Sequence, residues 1–226
     1  MNGLVPDDLQ AAFDVERKDA RATPRGDDAR MRTQTIRMYG RLAALQGQVI
    51  ARNEVAVACE RGCSYCCHLR VEIRPHEVFV LAHHIQTRFD AEARQRTIAR
   101  IEQNLARLAG LTTEQHIRAG IPCALLDGSI CSVYEARPAA CRKYYSLSLA
   151  VCRAAYDDTS APLEGEIEDE QVRLAGNAVV LGHAKGLEDA GYDSGLYELH
   201  AALHRALTDP RAQKRYRDGK RAFVQT

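Results

Sequence analysis

The chain has 226 residues, 46% of them hydrophobic and 27% charged, the composition of a globular domain long enough to bury a core of its own. A formal net charge of +1 supplies no overall field to recruit nucleic acid or an anionic lipid surface. No stretch approaches the roughly eighteen apolar residues of a membrane span. Residues 1–10 carry Asp7 and Asp8 and no apolar leader, so the expected setting is the cytoplasm. There, eight cysteines are more often metal-binding or catalytic than disulfide-bonded.

In chain order, residues 1–26 read as a polar segment with a short helix, broken at Pro24-Arg25-Gly26. Asp27 and Asp28 then suit a helix start. Thr35, Met38, Leu42, Leu45 and Val49 recur at helical steps, so this helix is expected to run towards Ala58 and deliver the chain into the cysteines. There Cys59, Cys63, Cys66 and Cys67 fall within nine residues, a density suited to zinc or an iron–sulfur cluster, both of which take thiolate ligands. Cys66 and Cys67 are adjacent, and neighbouring side chains tend to diverge, so they are expected to do different jobs.

Pro75 opens a further helix with Val78, Leu81 and Ile85 on its apolar face. Asp90 caps the next one, which Gly110 stops, and Thr112 with Gln115 forms a capping box. The period changes over residues 121–134, which read as two short strands around Asp127-Gly128 with Cys123 and Cys131 on the two arms. Pro138 restarts a helix that carries Cys141, and Ser148 caps one that carries Cys152. The acidic stretch 157–168, with Pro162 and Gly165, reads as a surface loop. Val172, Ala175 and Val179 begin a helix stopped at Gly191; Leu196, Leu199, Leu203 and Ala206 make another, ending at Asp209-Pro210. The basic tail, 211–226, reads as a solvated helix face.

Cys123, Cys131, Cys141 and Cys152 form a second group of four thiols. Eight in all would serve two tetrahedral sites, one polynuclear site, or one four-iron cluster with thiols to spare. Cys59-x3-Cys63-x2-Cys66-Cys67, then Pro122-Cys123, then Cys131-Ser132-Val133-Tyr134-Glu135-Ala136-Arg137-Pro138-Ala139-Ala140-Cys141-Arg142, resembles the YkgJ-type cysteine-cluster family. The resemblance covers roughly residues 55–155. It implies a zinc- or iron-chelating domain in which Cys59, Cys63, Cys66, Cys67, Cys123, Cys131, Cys141 and Cys152 are all metal-site residues. Cys59-x3-Cys63-x2-Cys66 also shares its spacing with radical S-adenosylmethionine enzymes, but a helix rather than a first barrel strand precedes it.

The expected architecture is mainly α: one irregular helical domain over 27–210 around a cysteine-rich metal site, with one short β-hairpin as its only sheet. The expected cofactor is an iron–sulfur cluster, of the [4Fe-4S] kind, or zinc. Several clustered cysteines with remote partners tilt the choice towards iron–sulfur, because only one Cys-x2-Cys knuckle is present. Arg137 and Arg142 flank Cys141 and could donate to metal-bound thiolates. His68 reads as a bystander, and Tyr134, Tyr144 and Tyr145 as packing over the site. No Ser/His/Asp set, phosphate loop or carboxylate pair stands out. The function expected is a metal chelator, carrier or interaction module; the alternative is an iron–sulfur-dependent oxidoreductase or another cluster-dependent enzyme.

Overall fold

Most of the helices begin where a side chain can take up their free backbone amides. The computed structural model describes residues 6–60, 62–160 and 167–224. Helix α1 (Pro6–Arg21) has Asp7 and Asp8 in its first turn and Lys18 and Arg21 in its last, the order the helix dipole favours. Helix α2 (Asp28–Arg52) starts on Asp27, whose carboxylate accepts from Arg30 N, and it buries Met31, Thr35, Met38, Leu42 and Val49. It ends at Arg52 instead of running to Ala58: Asn53 takes the C-cap and Glu54 adopts a left-handed backbone, φ 52°. Residues 55–60 therefore reach the cysteines as extended chain.

A single turn of 3-10 helix (Tyr65–His68) and strand β1 (Glu72–Ile73) follow. Helix α3 (Pro75–Arg88) has proline in its first turn and Val78, Leu81 and Ile85 buried. Helix α4 (Ala91–Leu108) is capped by Asp90, and α5 (Thr113–Arg118) by the Thr112/Gln115 capping box. Strands β2 (Leu126–Asp127) and β3 (Ile130–Cys131) form the expected hairpin, with Leu126 paired to Cys131. Pro138 is the N-cap of the short α6 (Ala139–Arg142), one place earlier than its expected first-turn position. Ser148 caps α7 (Leu149–Asp157), and Asp169 caps α8 (Glu170–Asp189). Strand β4 (Tyr197–Glu198), α9 (Leu199–Thr208) and α10 (Pro210–Arg217) complete the order.

Helix α1 lies along α8 at a distance only glycine permits. A Cβ on Gly186 would stand 2.3 Å from the Arg17 carbonyl oxygen, and one on Gly182 would stand 2.4 Å from that of Phe13. Helix α2 packs against α8 as well, while α3 and α4 pack on α9. Ile73, Leu81, Ile85, Ile101, Leu199 and Leu203 are fully buried in the main core.

The fold is mainly α, as expected, but the hairpin is not its only sheet. Strands β1 and β4 pair antiparallel, Ile73 with Tyr197 and Glu72 with Glu198. Two residues per strand are too few to leave an alternation in the sequence, and this ladder takes Tyr197 and Glu198 out of the helix expected from Leu196. The tail is not a solvated face either. Ala212, Tyr216, Ala222 and Phe223 are buried, with Tyr216 stacked on Phe79 and Tyr192. The loop expected at Pro162 and Gly165 lies outside the described residues. Among the described residues no helix is long and apolar enough to cross a membrane.

Candidate metal centre

The two cysteine groups meet through backbone and serine hydrogen bonds. The extended 55–60 segment is held where Ala58 N donates to Ser146 O at 2.8 Å. Ser146 N donates to Cys59 Sγ at 3.1 Å, and the Cys152 thiol donates to Ser146 Oγ at 3.0 Å. Ser146, 1% exposed, thus joins the first cysteine of the chain to the last. The 3-10 turn that carries Cys66 and Cys67 sits on α7. Its Cys67 carbonyl accepts from Cys123 N at 2.8 Å, which fixes the turn to the arm leading into the hairpin. Cys141 rides on α6, whose first amide, Ala139 N, donates 2.6 Å to the buried Glu77 carboxylate.

All eight cysteines are free thiols. Their ionisation is mutually opposed. Burial pushes the Cys141 thiol up, and Cys123, Cys66 and Cys131 add to it. Cys66 is pushed up first by the side-chain hydrogen bond it shares with Cys67, then by burial. Both cysteines lie on the single 3-10 turn Tyr65–His68, whose Cys67 N donates to Ser64 O at 2.9 Å. Burial also raises Cys59, with Cys66, Cys152 and Cys63 adding to it and the Ser146 amide opposing. Cys123 and Cys131 are raised by burial as well, and each is partly relieved by a backbone amide two residues on, Leu125 and Val133. These influences run within and across the two sequence groups, and Cys66 opposes the ionisation of Cys59, Cys123 and Cys141 alike.

Among the described residues, no group of three or more His, Cys, Asp or Glu side chains is drawn together as a ready metal-ligand set. What suits a metal is the chemistry of the donors. A crowd of half-buried thiols cannot ionise together without a cation among them, and thiolate sulfur suits zinc and iron. Amides directed at Cys59, Cys123 and Cys131 favour their thiolate forms. Arg137 keeps a buried Nε with no partner among the described residues, and its guanidinium lies 4.2 Å over the Tyr134 ring. Its charge favours the thiolates of Cys66, Cys131 and Cys141, so the free N–H suits an anionic metal–thiolate assembly. Arg142 is committed elsewhere: Nε donates 2.6 Å to Arg137 O, and the group stacks 4.3 Å over Tyr39.

His68 Nδ1 donates to Ser64 O at 3.2 Å, and its ring rests on Tyr156. Tyr144 shares the walls of two clefts with Cys66, Cys141 and Cys152, and burial, then Cys152 and Glu168, push its hydroxyl up. Three supporting residues carry no sequence signal as site residues. Ser146 has no diagnostic spacing. Glu77 is visible only as the fourth residue of Arg74-Pro75-His76-Glu77, a helix start. His200 accepts from Ala124 N at 3.1 Å through Nε2 and donates to Glu198 at 2.8 Å through Nδ1, tying the hairpin arm to α9.

Residues 58–160 match the CxxCxxCC family, a putative zinc- or iron-chelating domain, the same family the cysteine pattern resembles. The match takes in all eight cysteines, together with Ser146 and Arg137. No curated protein and no solved structure matches the chain.

Proposed function

We propose that the chain is a cysteine-ligated metal-binding protein of the YkgJ type, holding an iron–sulfur cluster in a cytoplasmic setting and acting as a chelator, carrier or interaction module. The observation that carries this reading is the joining of the two sequence groups by hydrogen bonds, Cys59 to Cys152 through Ser146 and the Cys67 carbonyl to the Cys123 amide. Cys59, Cys63, Cys66, Cys67, Cys123, Cys131, Cys141 and Cys152 are the ligand candidates. When bound, the cluster or ion supplies the positive charge that lets these thiols ionise together.

The chain's own contribution is placement and charge. Ser146 holds Cys59 and Cys152 in one place, Glu77 fixes the helix that carries Cys141, and Arg137 offers a donor to the thiolates. Free cysteines in this number suit a reducing compartment. A second reading, a cluster-dependent enzyme, is favoured by one observation: Cys66 and Cys141 line an open cleft. Anaerobic purification with metal analysis and an absorption spectrum tests the choice of metal. A brown protein with stoichiometric iron and acid-labile sulfide is expected; a colourless protein with stoichiometric zinc would replace the cluster with zinc.

A further inference from the structure

A cleft of about 480 Å³ opens between the β1/α3 junction, α6 and α8, within the size range of small-molecule sites. Cys66 and Cys141 form part of its wall. Its other lining is of two kinds. Leu69, Ile117, Leu181 and Leu196 are all more than 40% exposed, which is unusual for large apolar side chains gathered at one opening. Arg70, Arg74 and Lys143 supply positive charge beside them.

The charges are not equally available. Arg70 is paired with Glu72 at 2.5 Å. Among the described residues, neither Lys143 nor Arg74 forms an ion pair. Lys143 Nζ donates to the Asn177 side-chain carbonyl at 2.6 Å, and Arg74 Nη1 donates to Ser194 O. The one other carboxylate in the lining, Glu77, is taken up by Ala139 N, Tyr39 Oη and Arg74 N. Glu77, Glu188 and Glu72 act on Arg74, and Glu168 and Glu77 on Lys143, only at longer range. Two half-buried cations held by neutral acceptors, beneath an apolar rim, match a ligand with an anionic head and an aliphatic body.

We propose that this cleft binds an amphipathic organic carboxylate, its head group met by Lys143 and Arg74 and its chain laid across Leu69, Ile117, Leu181 and Leu196. The head group then lies beside Cys66 and Cys141, so ligand and metal centre share a wall. Lys143, Arg74 and the four apolar side chains that would hold this ligand are not among the metal-ligand candidates.

The test is calorimetric titration of the full chain, purified anaerobically, with octanoate, 1-octanol, octylamine and acetate, and with metal content measured on the same sample. Octanoate is expected to bind at least about tenfold more tightly than each of the other three, because charge-assisted hydrogen bonds and apolar burial both contribute. Lys143→Met is expected to weaken octanoate at least about tenfold and leave 1-octanol unchanged. Leu181→Asn is expected to weaken octanoate and leave acetate unchanged. No octanoate binding overturns the proposal, as does octylamine or 1-octanol binding as tightly as octanoate. The ligand series holds whether or not a variant folds. Octanoate binding without stoichiometric metal removes only the reading of the preceding subsection; stoichiometric metal without octanoate binding removes only this one.

Discussion

Replacing Glu77 should show how far the cysteine centre depends on a residue that touches no sulfur. Glu77 is 3% exposed, and its Oε1 accepts from Tyr39 Oη at 3.1 Å and from Ala139 N at 2.6 Å. The second bond anchors the start of α6, two residues before Cys141. Glu77→Leu removes the 3.4 Å bond from Arg74 N and leaves the two donors to Oε1 buried without a partner, at about 1–3 kcal/mol for each of those two. The expected loss is therefore about 2–6 kcal/mol, a large share of a typical domain's 5–15 kcal/mol. Glu77→Gln keeps an acceptor at the same place and removes a charge that burial already disfavours, since burial raises the Glu77 carboxyl. It should cost no more than about 1 kcal/mol. Urea unfolding of both variants, with metal content measured before denaturation, reads the two effects together. Glu77→Leu should unfold at clearly lower urea with metal substoichiometric, and Glu77→Gln should stay near wild type in both. Equal stability of the two variants would refute the anchoring role.

Cys63→Ser and Cys141→Ser, one from each sequence group, should each lower metal content and reduce Tm by about 5 °C or more; full metal and an unchanged Tm in Cys141→Ser alone would separate the groups. On α8, Gly186→Ala should destabilise by about 1–3 kcal/mol, because the new Cβ would stand 2.3 Å from Arg17 O and push α1 away. On α2, Gly47→Ala meets nothing within 4 Å and should stabilise by about 0.5–1 kcal/mol, so thermal melts of the pair must shift in opposite directions. His76 is buried, and burial, then His183 and Arg74, hold its imidazole well below the ordinary value. The unfolded chain takes up a proton that the folded His76 refuses. Its stability contribution is therefore complete above about pH 6.5 and is lost as pH falls below that, at up to about 1.4 kcal/mol per unit. The difference in unfolding free energy between wild type and His76→Gln should shrink by that slope between pH 6.5 and 5.5, and a flat difference would contradict it.

Much of the helical frame was legible because the chemistry of helix ends is local. Asp27, Asp90, Thr112 and Ser148 each cap the helix their sequence context announces. The β1–β4 ladder was not legible, because Glu72–Ile73 and Tyr197–Glu198 meet only through tertiary packing. Tyr216 in a basic run gives no hint that α10 turns it inward, since burial there depends on the distant Phe79 and Tyr192. For the site, density and spacing identified the cysteines, but sequence order misassigned their company. Cys152 looks isolated at the end of the second group, yet Ser146 places it with Cys59. Arg137 and Arg142 look equivalent beside Cys141, and only the fold shows that Arg142 spends its Nε donor on Arg137 O while Arg137 keeps its own.

The central claim is that thiolates from both segments supply every protein ligand of the metal centre. X-ray absorption at the iron and zinc edges of anaerobically purified protein reads that shell directly. Stoichiometric metal with sulfur as its only neighbour, at about 2.3 Å as for thiolate ligands, is expected, with sulfur neighbours lost in both Cys59→Ser and Cys141→Ser. A shell of nitrogen or oxygen near 2.0–2.1 Å, the distance of histidine or carboxylate ligands, would contradict it.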